Sequence, residues 1–129
     1  MSKPIIKIYL MYWLNEKFSQ SEVENIIPLS RDVEYDFEIS KCGDRCLKFQ
    51  EISATTCDLS DVIDIFVEKF SPIIDKFNLL TELVDGFFVI EIVSKMNKKG
   101  PPSLNFGKNF LNLIGALKNL KEIDIDQYK

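Results

Sequence analysis

The stretch Asp32-Val33-Glu34-Tyr35-Asp36-Phe37-Glu38-Ile39 decides how this chain is read. Apolar residues at 33, 35, 37 and 39 alternate with carboxylates at 32, 34, 36 and 38. Successive side chains of a β-strand point to opposite faces, so the alternation predicts a strand with one apolar face and one anionic face. Like charges then stand about 7 Å apart along the anionic face. Water solvates such a row, and its charge protects a sheet edge from aggregation. It is also a natural docking surface for a cationic partner, and it carries no chemistry of its own.

Upstream, residues 3–14 form a strand pattern that is apolar on both faces. Ile6, Ile8, Leu10 and Tyr12 share one face, and Lys7, Tyr9, Met11 and Trp13 the other. Such a strand belongs in the middle of a sheet. Ser19 or Ser21 caps a short helix carrying Val23, Ile26 and Ile27, which Pro28 ends. Downstream, Lys41-Cys42-Gly43-Asp44-Arg45 reads as a turn, and 46–52 as a returning strand with Leu47 and Phe49 inward, completing a hairpin. Asp58 then caps the main helix, with Asp61 in its first turn. Its core stripe runs through Leu59, Val62, Ile63, Phe66, Phe70, Ile73, Ile74 and Phe77. Ser71-Pro72 either kinks this helix or restarts it. An Asp85-Gly86 turn, a buried strand over 87–96 and a loop over 98–103 follow. Phe106, Phe110, Leu113, Ile114, Leu117 and Leu120 mark a last helix. A short strand over 121–128 sets Ile123 and Ile125 against Asp124 and Asp126.

The order β-α-β-β-α-β-α-β predicts one α+β domain over residues 1–129. Its first six elements give the split β-α-β pattern of a ferredoxin-like core, and an α-β unit extends it at the C-terminal side. Right-handed crossovers place the first and third strands in the centre of an antiparallel sheet, with helices mainly on one face. The opposite face carries Tyr9, Met11, Trp13, Phe87, Val89 and Val93 among Lys7, Lys48, Glu34, Asp36 and Glu38. Either the last helix folds over part of that face or the face stays open to a partner. Core beneath the last helix is the ordinary fate of such an aromatic stripe.

Composition narrows the function classes. The 129 residues are 46% hydrophobic and 28% charged, with ten Phe and one Trp, an ordinary globular balance whose core needs neither metal nor disulfide. A net charge of -4 and a pI near 4.9 argue against direct contact with nucleic acid or anionic lipid, as does the lack of clustered Lys or Arg apart from Lys98-Lys99. The chain contains no His, which removes the usual general base near neutral pH and the commonest transition-metal ligand. Neither a signal peptide nor an apolar run of membrane-spanning length is evident, so the expected location is the cytoplasm. Cys42, Cys46 and Cys57 fall short of the four ligands of a closed zinc site. They read as packing or turn thiols in preference to a zinc or redox site. No phosphate-cradling glycine motif is present. The carboxylates run in lines on single strands instead of converging across a cleft, which sets aside acid–base catalysis by a carboxylate pair.

The element order, the Pro within the long helix at Ser71-Pro72, and the run Pro102-Ser103-Leu104 through Leu113-Ile114-Gly115-Ala116-Leu117 resemble a family of small bacterial proteins, domain-of-unknown-function family 4279. Ile123-Asp124-Ile125-Asp126 with Tyr128 closes the resemblance. Around residues 29–49 the chain departs from the family's Gly-rich turns and Trp, with Ser30-Arg31-Asp32 and Phe49 instead. The resemblance implies a cytoplasmic accessory protein, with some relatives suspected as immunity proteins beside toxin genes.

From this follows an expectation of a non-catalytic binding protein without cofactor or metal. Its expected partner is a cognate basic protein, a toxin domain. Asp32, Glu34, Asp36 and Glu38 supply electrostatic steering, and Tyr9, Met11 and Trp13 supply an anchor. The alternative is a regulatory or ligand-binding module that forms a homodimer through the open sheet face.

Overall fold

The computed structural model describes residues 5–56, 58–95 and 106–128. The expected loop over 98–103 lies outside them. Ten elements follow along the chain: β1 (Ile5–Leu14), α1 (Gln20–Ile26), β2 (Tyr35–Ile39), β3 (Arg45–Phe49), β4 (Ile52–Thr55), α2 (Leu59–Phe70), α3 (Ile74–Leu83), β5 (Gly86–Lys95), α4 (Gly107–Ala116) and β6 (Leu120–Tyr128). They build an α+β fold around one mostly antiparallel six-stranded sheet in the order β2-β3-β1-β5-β6, with β4 also paired to β1.

β1 is central, as its two apolar faces require. One side pairs antiparallel with β5 over ten consecutive residues, from Ile5 opposite Lys95 to Leu14 opposite Gly86. On the other side β3 covers Met11 to Leu14 and β4 covers Ile5 to Ile8. The expected returning strand over 46–52 is thus two strands, β3 and β4, broken at Gln50-Glu51 and continued to Thr55. β2 pairs antiparallel with β3, so β1 and β2 run parallel with β3 between them. The strands expected in the antiparallel sheet do pair antiparallel, whereas the last strand, β6, joins it parallel to β5. A parallel neighbour needs a crossover between the two strands, and α4 lies on that connection.

The helices begin and end where their sequences dictate. Ser19 caps α1 in a reciprocal box: its hydroxyl accepts from the Glu22 amide, and the Glu22 carboxylate accepts from the Ser19 amide. Asp58 caps α2 through the Ser60 amide. At Ser71-Pro72 the long helix tightens into a 3-10 turn over Ser71–Ile73 and resumes as α3. Pro72 lacks an amide hydrogen and cannot continue the α-helical ladder.

All described helices contribute to one layer. Ile6, Ile8, Leu10 and Tyr12 of β1 join Val23 of α1, Phe66 and Phe70 of α2, Phe77 of α3, Phe88 of β5 and Phe110 of α4 in a single buried cluster. The rings of Phe66 and Phe110 lie 5.9 Å apart, edge to face, which places α4 beside α2. The side-chain amide of Asn78 on α3 fixes the far end of α4, donating to the Ala116 carbonyl at 3.0 Å and accepting from the Lys118 amide at 2.8 Å. The aromatic stripe of β1 is therefore not roofed by the last helix. Apolar burial drew α4 to the Phe66–Phe70 side instead.

Phe66 is enclosed while its neighbour Ile65 is 43% exposed. Phe66→Ala is expected to cost about 3–5 kcal/mol, whereas Ile65→Ala stays within about 0.5 kcal/mol. Paired thermal or urea melts check the contrast.

Candidate functional site

The face of the sheet away from the helices is built by alternation. On β1 it receives Lys7, Tyr9, Met11 and Trp13, whose neighbours Ile6, Ile8, Leu10 and Tyr12 lie in the helix-side core. Pairing registers carry the same face across the sheet. Trp13 stands opposite Phe87 on β5 and Cys46 on β3, and Met11 opposite Val89 and Lys48. Met11, Cys46 and Val89 form a second, small buried cluster, with Trp13 and Phe87 packed against it and partly exposed. The centre of the face is thus an apolar strip that no described helix covers.

Carboxylates flank this strip on both sides. On the β2 edge, Asp36 and Glu38 are exposed and point away from Tyr35 and Phe37, which pack against the core; Glu34 continues the alternation just before the strand. On the far side, Val89 pairs with Glu122, Glu91 with Asp124 and Val93 with Asp126, which puts the carboxylates of β6 on the same face. Two recesses open here. One of about 550 Å³ is lined by Met11, Trp13, Phe87 and Val89, with Glu91, Lys121, Glu122 and Asp124 on its β6 side. The other, about 710 Å³, lies toward β2 and is lined by Tyr9, Lys48, Glu51, Glu34, Asp36 and Glu38 of this face and also by Gln20, Val33, Tyr35 and Phe49 of the helix side.

Asp32 does not belong to this row. Both its own amide and that of Val33 donate to the Leu29 carbonyl, at 2.9 and 3.0 Å, so the chain is still turning there. Its carboxylate stands 4.0 Å from the Lys76 ammonium on α3, on the helix side of the sheet. The strand begins three residues later than the alternation alone suggests. Glu34, Asp36, Glu38, Tyr9, Met11 and Trp13 are brought onto one face. Sequence reading missed β6 as the second acidic edge. The alternation of Glu122, Asp124 and Asp126 with Ile123 and Ile125 was the signal, but nothing local fixed which neighbour the strand would pair with.

Lys7, Lys48 and Lys121 share the face, the last two engaged with rings. Lys48 holds its ammonium 4.3 Å from the Tyr9 ring centre, and Lys121 holds its own 4.4 Å from that of Phe87. The Tyr9 hydroxyl donates to Glu51 at 2.5 Å, and Lys7 lies 3.6 Å from the same carboxylate. Burial, the bond to Glu51 and the charges of Glu51 and Glu91 push the Tyr9 hydroxyl up to about 12, so it stays a protonated donor. That bond and the nearby lysines hold Glu51 below the usual carboxylate range. Burial raises the Cys46 thiol to about 12, well away from the reactive thiolate form. Cys42 is exposed in the hairpin turn, and Cys57 lies outside the described residues. Among the described residues no three His, Cys, Asp or Glu side chains are grouped to hold a metal ion, and no helix is long and apolar enough to cross a membrane.

In comparisons with family models, with curated proteins and with solved structures, nothing matches this chain.

The hydrogen bond and repulsion from Asp124 raise the Glu122 carboxyl above its ordinary range. A carboxyl raised by folding favours the folded state while protonated, and that contribution fades as pH rises through its titration. Asp124→Asn is expected to bring the Glu122 titration back down, as followed by NMR of the side-chain carboxyl carbon. An unmoved titration would mean that the two carboxyls are not in contact.

Proposed function

We propose that this chain is a small acidic binding protein without catalytic activity, which neutralises a basic protein by docking its open sheet face onto it. The observation that carries this reading is the placement of one apolar, aromatic strip between two acidic edges on the face left free by the helices. Docking surfaces draw their affinity from a central cluster rich in Trp, Tyr and Met, and their rate from the charges around it. An immunity protein against a cognate bacterial toxin fits both features. A nuclease toxin fits best, because its site is built to attract phosphate and the same positive potential attracts this face. The resemblance to domain-of-unknown-function family 4279 and a cytoplasmic location belong to the same reading. The β-α-β-β-α-β portion is read as ferredoxin-like, supported by the order β2-β3-β1-β5 with β1 and β2 parallel around β3.

The competing reading, a homodimer through this face, meets an electrostatic obstacle. In either aligned stacking of two copies, an acidic edge of one lies over an acidic edge of the other, β2 over β2 or β2 over β6. Like charges so placed oppose association at low salt.

Asp36→Lys with Glu38→Lys tests the proposal against the protein captured from the native host. Both side chains are exposed on an edge strand, so melting is expected to move by no more than about 0.5 kcal/mol per site. The association rate in surface plasmon resonance is expected to fall and to lose part of its salt dependence. At about 0.15 M salt charges are screened beyond about 8 Å, so only a partner that closes on β2 senses the change. An unchanged rate would assign the row to solubility and remove the steering role.

A further inference from the structure

We infer that the open face receives one basic amphipathic helix of its partner, laid along β1 and β5, whose Lys or Arg side chains take the places over Tyr9 and Phe87 that Lys48 and Lys121 fill in the free protein. The inference deepens the docking reading above and rests on it.

Dimensions and charge together select this occupant. From β2 to β6 is four strand spacings, about 19 Å. A helix with its side chains is about 10–12 Å across, so one helix fits between the acidic edges with long basic side chains reaching outward to each. From Tyr9 to Trp13 along β1 is about 14 Å, the rise of about nine helical residues. An apolar stripe at i, i+4 and i+8 spans about 12 Å and so follows the strip from Tyr9 through Met11 to Trp13. A flat apolar partner would leave both acidic edges unmatched. A basic chain without an apolar stripe would leave Trp13 and Phe87 in water.

The two lysines report the chemistry that the face accepts. A cation over an aromatic ring is attracted by the negative ring face, and its aliphatic stem covers apolar surface. Lys48 and Lys121 reach their rings from strands on either side of the β1–β5 pair. Each occupies a position that a partner's cation can take over. They also place positive charge in the path of a cationic partner. Removing them is expected to strengthen binding, the reverse of the usual effect of truncating interface residues.

The test uses the full chain and a synthetic peptide of about 18 residues, long enough to hold a helix when bound. Leu occupies its i, i+3, i+4, i+7 and i+8 positions, and Lys and Arg flank that stripe on both sides. Trp13 is the chain's only tryptophan and lies on the face, so its emission reports occupancy directly. The expected result is a blue shift of Trp13 and, by calorimetry, binding at least about tenfold tighter than that of a scrambled peptide of equal charge. Lys48→Met with Lys121→Met is expected to tighten the peptide by about threefold or more. Equal binding of the scrambled peptide, or binding without a Trp13 shift, would overturn the helix assignment. Unchanged or weaker binding by the double variant would overturn the displacement of the lysines. The native partner separates the two levels of the argument. If it shifts Trp13 while the helical peptide does not, the docking reading stands and the helix falls; if it binds without moving Trp13, the open-face reading itself falls.

Discussion

The register between β1 and β5 is the constraint on which everything else in this protein rests. Ten consecutive pairs fix which residues of both strands enter the helix-side core and which enter the open face. Because side chains alternate with a period of two, a slip by one residue would bury Lys7 and Tyr9 and expose Ile8 and Leu10. Tyr12 locks that register at one end. Its ring packs 4.6 Å from that of Phe88, and its hydroxyl donates to the Val84 carbonyl just before β5 begins. Gly86 permits the close approach, since a Cβ there would stand 2.7 Å from the Tyr12 ring. Core and candidate site are therefore one problem in packing, solved by the same strand pair.

Much of this was legible in the sequence because it depends on local pattern. The two faces of β1, the Asp58 cap, the Phe stripe of α2 and the break at Pro72 all follow from periodicity and backbone chemistry. What could not be read were choices among distant partners. α4 has an apolar stripe that fits either face of the sheet; Phe66 and the Asn78 amide decide which, and no local signal announces them. β6 alternates as any half-buried strand does, but its parallel pairing with β5 depends on the crossover between them. Asp32 illustrates a subtler failure. Its place in the alternation is right, but hydrogen bonds from the Asp32 and Val33 amides to the Leu29 carbonyl hold the chain in a turn, and the carboxylate ends near Lys76.

The site was half visible for the same reason. Tyr9, Met11 and Trp13 share a face by virtue of β1 alone, and Glu34, Asp36 and Glu38 by virtue of β2. The second acidic edge and the lysine-capped rings appear only when five strands are assembled. A single edge of carboxylates is most simply a solvated surface. Two such edges about a common aromatic strip define a width, and a width is a property that a partner can match.

The central position of β1 also has a consequence for how the chain must be made. β3 and β4 emerge by residue 55 and can pair with one side of β1, but β5 is complete only at residue 95. At about 5–20 residues per second, the 81 residues between Leu14 and Lys95 take roughly 4–16 s to synthesise. For that interval the β5-facing edge of β1 is unpaired, in a strand apolar on both faces, the arrangement most prone to intermolecular pairing. Its longest partnership spans most of the chain, a high contact order that slows folding further. The window of vulnerability on the ribosome is thus set by topology, and it closes only when β5 arrives.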